Sequence, residues 1–184
     1  NDPCFEGLRI VRCLDCDFKF SHPMPNEMML GKYNSSYHDS AHGGMDRDKK
    51  TNAFFSGISR LRLHFIESWH KLNQNSNLKV LEIGPGPGAF ARVFLEKYPK
   101  SNYFAIESDV SCYKKLTELG VKIIKPNKGK SFEQSFDLLI ASHVLEHVTN
   151  PLDFITDCKK FLKKNGLCFI EVPCKDWEHK IENE

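Results

Sequence analysis

The sequence lacks long apolar runs: none of its 184 residues belongs to a stretch approaching the ~20 apolar residues that span a bilayer. Its first residues also lack the charged-then-apolar order of a signal peptide. Neither sign of charge predominates, because 26 Lys and Arg face 24 Asp and Glu, for a formal net charge of +2. Such a balance creates no field that would draw the whole protein to nucleic acid. We therefore expect a cytoplasmic protein with neither a membrane nor a nucleic-acid partner.

Internal repeats and low-complexity tracts are also missing, and the chain is too short for two full-sized domains. Its seven cysteines are an odd number, and Cys112, Cys158 and Cys168 fall in segments patterned like helix or strand interiors. Reduced, partly buried thiols fit this placement better than a secreted disulfide framework. We predict one core domain over residues 51–184, preceded over residues 1–50 by a cysteine-bearing leader with a lid-like segment.

What is present is an alternation of helical and strand patterns. From residue 51 apolar side chains recur at steps of three and four, which predicts a long amphipathic helix whose apolar stripe lies on a sheet. Strands separated by helices further along predict an α/β fold with a mostly parallel sheet and helices on both faces. The stripe comprises Phe54, Ile58, Leu61, Phe65, Trp69 and Leu72. The predicted strands are 78–83, 101–107, 121–125, 136–142 and 167–172, and the later helices are 89–98, 110–119 and 150–163.

A glycine-rich turn follows the first predicted strand and precedes a helix. Gly84, Gly86 and Ala89 satisfy the G-x-G-x-x-G/A spacing of dinucleotide-binding turns. Glu107 comes about 20 residues later, where an acid would hold ribose hydroxyls. On spacing alone, an NAD-binding oxidoreductase therefore stays open.

Three details of this turn favour a different cofactor. Glu82 places a carboxylate where a pyrophosphate would pass, and Pro85 and Pro87 each remove an N–H that could have donated to phosphate. Gly88 adds a third close backbone approach without completing the phosphate spacing. A cofactor carrying an amine and a sulfonium would instead accept the acid, and S-adenosylmethionine (SAM) has that chemistry. The alternative is a stiff strand-to-helix turn with no ligand.

The segment 80–90 resembles the first motif of class I SAM-dependent methyltransferases. Phe104-Ala105-Ile106-Glu107 is similar to the family's second strand, residues 136–151 to its fourth strand and following turn, and residues 162–173 to the passage into its fifth strand. The resemblance implies the family's Rossmann-like sheet, SAM as cofactor and methyl transfer. The leader resembles that of the type 11/12-like branch, whose members often methylate nucleotide-linked sugars or other small metabolites.

Two further strands follow the fifth in this family, so the resemblance implies that the chain lacks the last two strands of the sheet. We expect either that the sequence is a fragment, which the missing initiator methionine at Asn1 supports, or that the acceptor is bound by the leader, by a partner subunit or not at all. A SAM-binding subunit or scaffold without catalysis is the non-enzymatic alternative. A small-molecule acceptor is the expected partner, and the sequence sets no oligomeric state.

The resemblance also assigns cofactor-binding roles to residues of this sequence. Glu107 would take both ribose hydroxyls, and Ser108 would lie beside the adenine edge. Ser142 and His143, at the end of the fourth strand, would face the sulfonium, because ligands of open α/β sheets lie beyond the carboxyl ends of the strands. The family often places an adenine-binding acid near the third strand, and residues 126–130 offer none. The methionine end of SAM would be lined by Glu82, Gly84, Pro85, Gly86 and Gly88.

His143, Glu146 and His147 follow the fourth of these strands at spacing i, i+3, i+4, so they share one face if the turn there is helical. His143 or His147 could act as the general base, because an imidazole titrates near working pH. The three could instead bind a divalent metal, or Glu146 and His147 could be a feature of the fold that hydrogen-bonds the loops under the site. We favour His143 as the catalytic residue because it follows the strand directly, with His147 second, and assign no metal ligand.

In the leader, Cys13-x-x-Cys16 is half of a zinc ribbon, whose full form supplies four ligands from two such pairs. Cys4 is a third candidate, and the fourth could be His22 or an upstream cysteine. A zinc-free remnant is equally consistent, so zinc stays open. Nearby, Tyr33 and Tyr37 lie one helical turn apart and, with His38, are predicted either to cap the site or to form a surface helix.

Overall fold

The computed structural model describes residues 6–35, 37, 49–72, 76–125 and 132–173. Within these ranges it contains seven strands and five α-helices. The expectations for Cys4, His38 and residues 126–130 fall outside the described residues. The strands are β1 (Arg9–Arg12), β2 (Lys19–His22), β3 (Lys79–Ile83), β4 (Asn102–Ile106), β5 (Lys122–Ile123), β6 (Phe136–Ser142) and β7 (Leu162–Glu171). The helices are α1 (Glu27–Asn34), α2 (Lys49–Trp69), α3 (Ala89–Lys97), α4 (Tyr113–Glu118) and α5 (Pro151–Phe161).

The five strands β3 to β7 form one sheet in the order β5-β4-β3-β6-β7. Every neighbouring pair in it is parallel, as the alternation of strands and helices predicts. Strand β3, the first of this sheet in chain order, lies at its centre. The chain moves outward on one side through β4 and β5 before it crosses to β6 and β7 on the other side. The carboxyl ends of β3, β4 and β6 therefore meet at one edge, where the chain order reverses.

Both faces of the sheet are covered, because its strands alternate apolar side chains between two clusters. On one face, α2, α3 and α4 pack on β3, β4 and β6 around residues such as Val80, Tyr103 and Leu138. On the other face, Leu81 and Leu139 pack with Cys158 of α5. This arrangement confirms the predicted sheet with helices on both faces.

The facing predicted for the first long helix is wrong. The residues of α2 that the core buries are Ser59, Leu63 and Ile66, whereas Trp69 is 76% exposed and Leu61 and Phe65 are also exposed. Helix α2 carries apolar side chains around most of its circumference, so their period alone does not select the buried stripe. Ser59 is fully buried, and its hydroxyl donates a 2.7 Å hydrogen bond to the carbonyl oxygen of Phe55.

The boundary between the last helix and strand also differs from the prediction. Helix α5 begins after Asn150, whose side chain accepts from the backbone N–H of Leu152, and it ends at Phe161, two residues before the predicted end. Strand β7 then starts at once, but its register with β6 shifts: Leu162 lies opposite Phe136, whereas Leu167 lies opposite Leu138. The regular part of β7 thus begins where the sequence predicts a strand.

The leader contains an antiparallel hairpin, β1 with β2, which the sequence analysis did not predict. Cys13 and Cys16 lie in its turn, where the Cys13 N–H donates to the Phe18 carbonyl oxygen at 2.8 Å. Helix α1 follows, and the Thr149 hydroxyl donates a 3.3 Å hydrogen bond to the Glu27 carboxylate, joining the leader to the core. No helix in the described part of the chain has the length and hydropathy that crossing a membrane would require.

Candidate functional site

A cavity of about 710 Å³ opens at the carboxyl ends of β3, β4 and β6. Its floor comes from the strand ends and the glycine turn, and its walls come from α2, the leader and the segment after β6. All of the predicted cofactor-binding residues except Gly88 line it. These are Glu82, Gly84, Pro85, Gly86, Glu107, Ser108, Ser142 and His143.

Gly84 and Gly88 have different roles in the turn, although both have positive φ angles, +66° and +82°. A Cβ at Gly84 would lie 2.7 Å from a side-chain methyl of Val144, which lines the cavity. A Cβ at Gly88 would meet Leu116 at 2.9 Å and Leu119 at 2.8 Å, in the packing against α4. Gly84 therefore shapes the cavity, whereas Gly88 allows α3 to begin against α4.

Glu107 follows β4 and crosses to the glycine turn. One oxygen of its carboxylate accepts the backbone N–H of Gly86, and the other accepts that of Asp109, both at 2.8 Å. Burial raises the pKa of Glu107, an effect that these N–H donors partly offset. Each oxygen has a second lone pair, so the carboxylate can still accept hydroxyl donors such as those of a ribose. The side chain is 9% exposed and lines the cavity.

Glu82, on the central strand, is the most deeply buried acid of the cavity lining, at 4% exposed. The hydroxyl of Tyr103 on β4 donates to its carboxylate at 2.7 Å. Burial raises the pKa of Glu82 to about 7, despite this hydrogen bond and the positive charge of Arg62. The site thus holds an acid that a cationic ligand would ionise fully.

Ser142 ends β6 at the cavity with an unpaired polar atom. Its buried Oγ has no hydrogen-bond partner among the described residues. Buried hydroxyls usually have a partner, so the orphaned oxygen fits a site that receives a polar ligand.

His143 follows Ser142 in the left-handed region, with φ +56°, which is costly for a residue with a side chain. Its backbone N–H donates to the Glu171 carbonyl oxygen at 2.9 Å. Two carboxylates flank its ring: Glu146 lies 3.4 Å from Nδ1 and Glu171 lies 3.5 Å from Nε2. The imidazole, half-exposed in the cavity wall, is therefore oriented from both sides.

His147 lies in a short 3-10 helix, Leu145–His147, rather than on the α-helical face that the spacing suggested. Its ring packs edge-on against Tyr37 at 5.9 Å between centroids, and Tyr37 packs in the same manner against Tyr33 at 5.5 Å. Both His147 and Tyr37 line the cavity. In the described ranges, no three His, Cys, Asp or Glu side chains come together as a metal site.

Several residues of the site are not among those predicted from the sequence. Arg62 on α2 lines the cavity and pairs with Glu171, and Tyr103 anchors Glu82. Glu171 had a usable signal, because it lies near the end of the predicted strand 167–172, and it pairs with Ser142 at the same sheet edge. Arg62 had no such signal. Polar and apolar residues alternate around α2, so the sequence does not show which neighbour the Arg62 side chain contacts.

The sequence model of the family described as "Methyltransferase domain" matches residues 53–184. The chain belongs to this family. Its five-stranded sheet is the Rossmann-like sheet of class I SAM-dependent methyltransferases. The match favours SAM over NAD, the alternative that the glycine spacing had left open.

Curated relatives of this methyltransferase domain include enzymes with different acceptors. It is 30% identical over 132 residues to a ubiquinone biosynthesis O-methyltransferase of Glaesserella parasuis, covering 61% of this chain and 52% of that protein. It is 26% identical over 159 residues to the (S)-coclaurine N-methyltransferase of Papaver somniferum, covering 82% of this chain and 43% of that one. The chain thus spans about half the length of these relatives.

Solved structures share the fold of this methyltransferase domain at low identity. A phosphoethanolamine N-methyltransferase of Haemonchus contortus, in complex with phosphoethanolamine and S-adenosylhomocysteine (SAH), aligns with a TM-score of 0.60 at 15% identity. The alignment covers 82% of this chain and 34% of that one. Coclaurine N-methyltransferase bound to N-methylheliamine and SAH aligns with a TM-score of 0.51 at 20% identity over 61% of this chain and 34% of that one.

Proposed function

We propose that this protein binds SAM in the 710 Å³ cavity and transfers its methyl group to a small-molecule acceptor. The observation that carries the proposal is the pairing of Glu107 with the glycine turn, which holds an acid at the end of β4 beside the backbone of Gly86. Glu82 adds a second, buried acid under the same cavity. The family match supports this assignment.

The two acids suit different parts of the cofactor. Glu107, braced by two backbone N–H groups, would accept hydrogen bonds from the ribose hydroxyls. Glu82 and the turn from Gly84 to Gly86 would hold the cationic methionine end, because a buried carboxylate favours a positive partner. Ser108 would lie by the adenine, and Ser142 would use its unpaired hydroxyl on the cofactor or the acceptor.

When bound, SAM would supply a methyl group that its sulfonium already activates. The protein is then required mainly to align an acceptor and to remove a proton from it. We assign proton removal to His143, which the two flanking carboxylates orient at the end of β6. His147 is the second candidate, although its ring packs against Tyr37.

The acceptor would lie between α2 and the segment after β6. Phe54, Phe55 and Ile58 of α2 line the cavity together with His143 and His147. This apolar wall with two imidazoles fits a small organic acceptor, because ligand sites combine apolar walls with a few polar groups. The nucleotide-sugar acceptor suggested by the leader stays a prediction, as do a cytoplasmic location and the absence of a nucleic-acid partner.

The leader would contribute one wall of the acceptor site. Tyr37 and Asn34 line the cavity, and the leader is joined to the core by the contacts of Tyr37 with His147 and of Glu27 with Thr149. We therefore favour the cap over the independent surface helix as the role of Tyr33 and Tyr37.

Transfer of a labelled methyl group from SAM to a panel of small hydroxyl and amine acceptors tests this function. We expect label in at least one acceptor with the wild-type protein, and its loss in His143→Gln with SAH binding retained. The variant His64→Gln, on α2 but outside the cavity lining, is the matched control and should transfer normally. SAH binding without transfer to any acceptor would instead indicate a SAM-binding scaffold.

A further inference from the structure

Arg62 and Glu171 join α2 to the end of β7 inside the cavity wall. The Arg62 guanidinium donates two hydrogen bonds to the Glu171 carboxylate, one from Nε and one of 3.0 Å from its terminal nitrogen. Their side chains are 16% and 30% exposed. Paired donation of this kind fixes a carboxylate in both position and plane.

Glu171 in turn holds His143 at two points. Its carbonyl oxygen accepts the His143 backbone N–H at 2.9 Å, and its carboxylate lies 3.5 Å from Nε2 of the ring. On the other side of the ring, Glu146 lies 3.4 Å from Nδ1. The ring therefore faces two acids, of which only Glu171 has an arginine partner among the described residues.

A neutral imidazole has a single N–H, so it can donate to only one of these two carboxylates. Glu171 already accepts two N–H groups from Arg62, and the guanidinium offsets its charge. In the described part of the chain, Glu146 has neither an arginine donor nor a positive charge that offsets its own. The proton of neutral His143 is therefore favoured on Nδ1, toward Glu146, which leaves Nε2 with its lone pair.

We propose that Arg62 is a positioning residue that, by holding and neutralising Glu171, keeps His143 in the tautomer whose Nε2 can accept a proton. This inference rests on the proposed function only where it assumes that Nε2 takes a proton from the methyl acceptor. The positive charge of Arg62 also acts on Glu82, so the guanidinium serves the cofactor side of the cavity as well. One residue of α2 thereby links both halves of the site.

Long-range proton–nitrogen NMR spectra of protein labelled in its histidine rings, recorded in alkaline buffer, report the tautomer directly. The His143 signals are those missing from His143→Gln. We expect the Nδ1–H form to predominate in the wild type. In Arg62→Gln, the freed Glu171 should attract the ring proton, so that the Nε2–H form becomes a major species. Adding Glu171→Gln to Arg62→Gln should restore the wild-type pattern.

The control is Glu67→Gln, which removes an ion pair of the same helix with Lys97, outside the cavity lining. It should leave the His143 signals unchanged. Arg62→Lys, which keeps the charge but not the paired donation, should lie between the wild type and Arg62→Gln. A predominant Nε2–H form in the wild type would overturn the proposal even if the variants fail to fold, and so would an unchanged tautomer in folded Arg62→Gln.

SAH titration of the same wild-type sample separates this inference from the proposed function. Absence of SAH binding with the expected tautomer pattern would refute the function and leave the positioning role intact. SAH binding with a His143 tautomer that Arg62→Gln does not change would refute the positioning role and leave the proposed function intact.

Discussion

The carboxylate of Glu107 accepts a 2.8 Å hydrogen bond from the backbone N–H of Gly86, and this contact joins the end of β4 to the turn after β3. The acid that the sequence places about 20 residues beyond the glycines therefore also braces their turn. A hydrogen bond to a charged group contributes about 1.5 to 3 kcal/mol, enough to hold the turn in shape before any ligand arrives. The same carboxylate keeps lone pairs for a ligand.

The two glycines that frame the turn should respond differently to substitution. Gly84→Ala would push on Val144 in the cavity wall, so we expect both a less stable protein and weaker SAH binding by the folded fraction. Gly88→Ala would press on Leu116 and Leu119 and should lower stability alone. Each also places alanine at positive φ, which costs about 1 to 3 kcal/mol.

Urea denaturation and SAH calorimetry of both variants check this contrast. Adding Val144→Ala to Gly84→Ala removes the contacted methyl and should restore part of the affinity. Equal losses of SAH affinity in Gly84→Ala and Gly88→Ala would contradict the distinct roles of the two glycines.

Glu82→Gln should stabilise the ligand-free protein at neutral pH. The pKa of Glu82 is about 7 in the folded protein against 4.5 for an unperturbed glutamate. Between these values the folded state keeps a proton that the unfolded state has lost, so stability contributed by this group falls as pH rises from 4.5 to 7. At about 1.4 kcal/mol for each pH unit, the full cost is on the order of 3 kcal/mol. The difference in unfolding free energy between variant and wild type should therefore grow across this range and then level off.

The same substitution should weaken SAM binding. A cationic ligand favours ionised Glu82, so we expect wild-type affinity for SAM to fall as pH drops below about 7. Glu82→Gln should bind more weakly above that pH and lose this dependence on it. Calorimetry at several pH values measures both effects, and Glu96→Gln, on α3, is a matched surface control. A Glu82→Gln protein that binds SAM as tightly as the wild type would remove Glu82 from the cofactor site.

Cys13 should react with iodoacetamide before the buried Cys158 of the core. Backbone hydrogen bonds from Cys16 and Asp15 lower its pKa, whereas the neighbouring Cys168 thiol and burial raise the pKa of Cys158. Because the thiolate is the nucleophile, mass spectrometry after brief alkylation near neutral pH should find Cys13 modified and Cys158 intact. Equal modification of the two would contradict this order. Protection of Cys13 and Cys16 by added zinc would support the zinc site that the sequence leaves open.

The parallel sheet and the glycine turn could be predicted because local patterns encode them. A buried strand, three glycines and a helix at fixed spacing leave few alternatives near Gly84, and the alternation of strands and helices sets a parallel sheet. The positions of Glu107 and Ser142 then follow from the rule that ligands lie at the carboxyl ends of strands.

The orientation of α2 and the partners of His143 could not be predicted in this way. Apolar residues surround most of α2, so only its packing on α3 and the sheet selects Leu63 over Phe65. The Arg62 contact with Glu171 joins residues 109 positions apart, and no local spacing encodes such a pair. The 3-10 turn at Leu145–His147 likewise replaced the α-helical face that the histidine spacing suggested.

Calorimetric titration of SAH into the wild-type protein and into Glu107→Ala tests the SAM site most directly. We expect SAH to bind the wild type, NAD not to bind, and the alanine variant to lose at least about tenfold in affinity, equivalent to 1.4 kcal/mol. Glu118→Ala, at the exposed end of α4, should bind SAH like the wild type. Binding of NAD without SAH, or full SAH affinity in folded Glu107→Ala, would contradict the account.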